Sequence, residues 1–72
     1  SDQGPLNIIV SPLRHTRKNL EQIRDILKRY PGRSKVNLTI KDSLGHSQIL
    51  ELDERFRVNR CPELETELSM YN

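Results

Sequence analysis

The sequence predicts a small α+β module in the order β-α-β-β-β-α, a mixed sheet of about four strands with both helices on one face. Three observations carry that expectation. Leu20, Ile23, Ile26, Leu27 and Tyr30 recur at the spacing that puts them on one side of a helix. Val36, Leu38 and Ile40 alternate with Asn37, Thr39 and Lys41, the period of a strand with one wet face. Between the two patterns stands Pro31-Gly32, where proline cannot continue the helix and glycine can take positive φ, so the chain stops and reverses.

Residues 1–5 are polar and turn-forming, and the chain begins without methionine. They read as a linker or a cloning remnant in a piece of a longer protein, ahead of a single domain at 6–70 and a short tail at 71–72. Leu6, Ile8 and Val10 alternate with Asn7 and Ile9 as a first strand that ends at Ser11-Pro12, since proline prevents further pairing there. Thr16 is a suitable N-cap for a helix that runs to about Arg29 or Tyr30. On its wet face Arg17 with Glu21, and Asp25 with Arg29, are spaced to pair, each adding roughly 0.2–0.5 kcal/mol.

After the Pro-Gly stop, the strand at 36–41 leads into the hairpin loop Asp42-Ser43-Leu44-Gly45-His46. The return strand covers about 47–52, with Leu50 and Leu52 facing the same way, and Phe56 with Val58 supplies a third antiparallel strand. Pro62 suits the first position of a helix, with Glu63, Glu65 and Glu67 near its positive end. Leu64, Leu68 and Tyr71 form its single apolar stripe.

A strand-helix-strand crossover is right-handed and lays the long helix on one face of the sheet. The second helix is expected on that same face, where Leu6, Ile8, Val10, Val36, Leu38, Ile40, Leu50, Leu52, Phe56 and Val58 need cover. Ile9, Asn37, Thr39, Lys41, Ile49 and Arg57 then form an open, mixed face available to a partner.

Charge is distributed unevenly. Residues 1–50 hold nine Lys/Arg against four Asp/Glu, a net of +5, whereas residues 51–72 hold three against six, a net of −3. That imbalance favours charge-steered binding to nucleic acid or to an acidic protein surface and does not choose between them. Arg14, His15, Arg17 and Lys18 crowd the positive end of the long helix, where each cation typically loses ~0.3–1 kcal/mol. Arg14, Arg17 and Lys18, with Arg33 and Lys35, are the candidate contacts for an anion or a partner carboxylate. The plainer reading is a solvated face already offset by Glu21 and Asp25.

Chemistry finds little support. Asp53-Glu54 lies in a turn and Glu63, Glu65 and Glu67 on an outer helix face, so solvated charge describes them better than a converging acid–base or two-metal site. His15 and His46 sit in connections without a ligand-spaced cysteine or carboxylate. Cys61, the single cysteine, forms no internal disulfide and reads as a small half-buried residue at a helix entrance, beside glutamates that disfavour a thiolate. Phosphate-loop and dinucleotide signatures are absent, no cofactor is expected, and no apolar run reaches the ~20 residues of a membrane span.

The short strand, the helix ending in Tyr-Pro-Gly, Lys35-Val36-Asn37-Leu38-Thr39-Ile40, the hairpin, Leu50-Glu51-Leu52, Arg57-Val58 and the closing Glu-Leu helix together resemble the extreme C-terminal module of bacterial DNA polymerase III α subunits. The resemblance covers about Leu6 to Leu68. It departs at Tyr30, where that family often has histidine before Pro-Gly, and at Met70-Tyr71-Asn72, where it closes on Leu-Leu-Gly. What it implies is a non-catalytic module of a cytoplasmic, nucleoid-associated replisome, contacting the clamp-loader τ subunit and tethering the polymerase in DNA replication. None of that enzyme's catalytic carboxylates belongs to this stretch.

Two function classes therefore stand. One is a protein-interaction module using the open sheet face or the edges of the last helix. The other is a nucleic-acid-binding module that places Arg14, Arg17, Lys18, Arg33, Lys35 and Lys41 on phosphates, although the three aromatics offer no evident stacking platform. A short exposed sheet edge also leaves self-pairing by strand addition open.

Overall fold

The computed structural model describes residues 4–72, so the first three positions of the expected linker lie outside the described residues. β1 (Leu6–Val10) leads through a 3-10 turn at Pro12–Arg14 into α1 (Arg17–Lys28). Thr16 caps α1 as its side chain predicts: Thr16 Oγ1 accepts the Asn19 N–H at 3.1 Å. The helix stops three positions before Pro31, and the chain enters β2 (Pro31–Ser34), β3 (Val36–Lys41) and β4 (Ser47–Glu51). A 3-10 turn at Glu54–Phe56 precedes α2 (Pro62–Leu68), which starts with proline in its first turn and closes in a 3-10 turn at Ser69–Tyr71.

The α+β class and the mixed sheet are as expected. β1 and β3 pair in parallel with Leu6 opposite Val36, and β3 and β4 pair antiparallel with Leu38 opposite Leu50. Matched registers put Leu6, Ile8, Val10, Val36 and Leu38 on one face, buried with Ile23, Ile26 and Leu27 of α1 and Leu64 and Leu68 of α2. Both helices thus share one side of the sheet. Tyr71 is buried with them and its hydroxyl donates to Gln22 Oε1 at 2.9 Å, so the folded unit extends past the expected boundary at 70.

The hairpin loop forms as its residues dictate. Asp42 Oδ1 accepts the N–H groups of Leu44 and His46, each at 2.9 Å, and Gly45 takes φ +86°.

Three details differ from the sequence reading. The hydrogen-bonded sheet holds three strands, ordered β1-β3-β4, and residues 56–58 do not extend it. Asp53 accepts the Arg55 N–H at 3.3 Å and bends the chain into a 3-10 turn directly after β4. Val58 then bridges Pro31 and Ser34 instead. Gly32 is not at positive φ; it is needed for close approach, because a Cβ there would overlap the Asn59 nitrogen and the Val58 carbonyl carbon. Its N–H donates to Arg57 O at 3.1 Å while Asn59 N–H donates to Tyr30 O at 2.8 Å, a clip that joins residues 57–59 to the start of β2. Finally, β4 is exposed along its whole length, including Leu50, because the core is centred on β1 and β3.

Candidate interaction surface

The registers assemble the open face one row at a time. Ile9 lies opposite Thr39 and Thr39 opposite Ile49; Asn7, Asn37 and Glu51 form the neighbouring row, and Lys41 lies beside Ser47. Five of the six residues expected on this face are there: Ile9, Asn37, Thr39, Lys41 and Ile49. Ile9 is 42% exposed and Ile49 69%, so two aliphatic side chains flank a threonine in contact with water. Asn37 Nδ2 donates to Asn7 Oδ1 at 3.3 Å and ties the polar row together. Arg57 is the exception. It follows the 3-10 turn, outside the sheet, and its backbone carbonyl serves the Gly32 clip.

The cationic set is divided. Arg14 ends the 3-10 turn after β1, and Arg17 and Lys18 open α1, whereas Arg33 lies in β2 and Lys35 immediately precedes β3. Since β1 and β3 run in parallel, Lys35 sits at their starting end, and Arg14, Arg17 and Lys18 follow the far end where Val10 pairs with Ile40. Four strand residues, ~13 Å, separate the two ends. Of the first group, Arg17 already faces Glu21 at 3.9 Å, beside a shallow depression that also takes in His15, Leu20 and Arg24.

A polar junction between α1 and α2 escaped the sequence reading. Arg29, expected to pair with Asp25, reaches Glu67 instead, and the Tyr30 hydroxyl donates to the other oxygen of the same carboxylate. That hydrogen bond, assisted by burial and by the Glu67 charge, raises the Tyr30 pKa above its ordinary value of 10.0. The i,i+4 rule sees only partners on one helix, so a glutamate 38 positions from Arg29 leaves no local signal.

Beside β1 runs a second feature, a groove of about 180 Å³ between Leu6–Ile9 and the Glu65, Leu68, Ser69 and Asn72 side of the last helix. Among the described residues no polar or charged side chain is buried, and no three of His, Cys, Asp and Glu gather as metal ligands. Cys61 is half-buried at the start of α2, without a capping bond from its side chain. No helix among the described residues is long and apolar enough to cross a membrane. What the arrangement offers is surface: an open sheet face, a shallow groove and two separated basic ends. Comparison of the chain with protein-family models, curated proteins and solved structures finds no match.

Proposed function

We propose that this chain is a non-catalytic protein-interaction module that holds a partner on the open face of its sheet. The observation that supports it is the uncovered Ile9–Thr39–Ile49 row, aliphatic at both ends and framed by asparagines, Lys41 and Glu51. Its resemblance to the C-terminal module of DNA polymerase III α subunits makes the clamp-loader τ subunit the partner to test first, with tethering of the polymerase in replication as the role.

The test is a calorimetric titration of the 72-residue chain against τ. Binding is expected, and Ile9→Lys is expected to weaken it about tenfold or more by placing a charge in the apolar row. No binding by the unsubstituted chain overturns the τ reading. The phosphate-binding alternative loses weight because its cations sit at two ends, so the module alone should bind short DNA no better than weakly at physiological salt. Sub-micromolar, salt-sensitive binding in fluorescence anisotropy would reverse that preference.

A further inference from the structure

We propose that the outer edge of β4 is a self-association seam, where two copies join β4 to β4 antiparallel about a two-fold axis through Ile49. The hydrogen-bond phase of the hairpin leads there. Asp42 N–H donates to His46 O, and Leu52 N–H to Val36 O, each at 3.0 Å. In an antiparallel ladder bonded positions alternate, so Gln48 and Leu50 serve β3 while Ser47, Ile49 and Glu51 turn their N–H and C=O groups outward. Among the described residues nothing pairs with that edge, and β4 has no proline, no lysine and no break in register, its one charge being Glu51 at its end.

The sequence of this edge is complementary to itself. Centring the pair on Ile49 uses all three outward residues of each copy, with Ile49 opposite Ile49 and Ser47 opposite Glu51 of the second copy. No like charges face one another. On the open face, Lys41 lies beside Ser47, so the new row reads Lys41, Ser47, then Glu51 of the second copy. Lys41 and that glutamate stand two strand spacings apart, ~9.6 Å between their backbones, and both side chains can meet above the short serine. Symmetry supplies this ion pair twice. The two apolar rows also become continuous, Ile9–Thr39–Ile49 meeting its own copy at the axis.

Five residues of strand edge bury less than the ~1,200 Å² of a standard interface, so association on the order of 0.1 mM is expected. The pairing uses the strand edge, and partner binding uses the face, so either can fail alone.

Sedimentation equilibrium of the 72-residue chain from about 10 µM to 1 mM tests it. The weight-average mass should rise from 8.4 kDa toward twice that value and no further. Ile49→Lys, which sets two cations opposite each other, should raise the dissociation constant about tenfold or more. Lys41→Glu and Glu51→Lys should each weaken the dimer, and the double charge swap should restore it. Within one copy Lys41 and Glu51 stand at opposite ends of the β3–β4 ladder, so restoration requires the two-fold contact. Circular dichroism checks that these exposed-site variants remain folded. Monomer mass at every concentration, growth beyond a dimer, or a dimer indifferent to Ile49→Lys and the charge swap would each overturn the proposal.

Discussion

β1 and β4 are the two edge strands of one sheet and have the same length, yet they are built differently. β1 buries Leu6, Ile8 and Val10, and its edge is fastened at both ends. Arg60 donates to the Gly4 and Pro5 carbonyls at 3.1 and 3.4 Å while holding Glu65 at 3.2 Å, and Ser11 N–H reaches Tyr71 O at 3.4 Å. β4 buries none of its five residues and has no such fastening among the described residues. An edge strand is a template for pairing unless something covers it. Here the segment around the last helix ties down both flanks of the strand with the larger apolar load, and the hairpin strand is left to its own sequence.

The largest test of that contrast is a pair of truncations. Leu64→Ala, in the helix beside β1, should cost about 2–5 kcal/mol in urea unfolding, because Leu64 is fully enclosed. Ile49→Ala on β4 should stay within about 0.5 kcal/mol for the monomer. Equal costs would erase the distinction between the two edges.

Gly32→Ala addresses what keeps residues 57–59 away from β4. The added methyl group meets backbone on both sides of the Val58–Asn59 bond, so a loss of about 1–3 kcal/mol is expected. A neutral result would show that the clip yields freely. Tyr71→Phe removes the hydrogen bond to Gln22 that seats the end of the last helix, and should cost about 0.5–1.5 kcal/mol with protection lost at Ser11 N–H in hydrogen exchange.

The smallest effect is set by pH. In the Tyr71→Phe background Tyr30 is the remaining tyrosine, and ultraviolet titration should place it above 10.0. Glu67→Gln should lower it again, since the carboxylate accepts the phenolic hydrogen and repels the phenolate. Because the folded value is raised, the contribution of this bond to stability is fully present below pH about 10 and is lost as pH rises through the folded value. Titration at or below 10.0 would show that α1 and α2 are not joined through Glu67.

Much of the architecture was legible because its causes are local. Thr16, the alternation from Val36 to Ile40, Asp42 with Gly45, and Pro62 each act on residues within a few positions. The open face was legible too, since one strand's period assigns every side chain to a side. Arg57 lies off that face for an informative reason: Phe56 and Val58 alternate like a strand, but Asp53 starts a turn before they can pair with β4, and Val58 bridges Pro31 and Ser34 instead. In the sequence the five cations form one set, because charge counting has no coordinate along the sheet.

By itself, then, the sequence determined the elements, their order and which face of each is apolar, because hydrophobic period and turn chemistry are properties of neighbouring residues. Only the tertiary structure decided which edge strand would have its flanks tied down, that Arg29 and Tyr30 would share Glu67, that Gly32 would be required by a passing backbone, and that the basic residues would lie at opposite ends. Each of those depends on segments far apart in the chain. Packing brings them together when the two helices close over β1 and β3, and β4 stays outside because nothing remains to cover it.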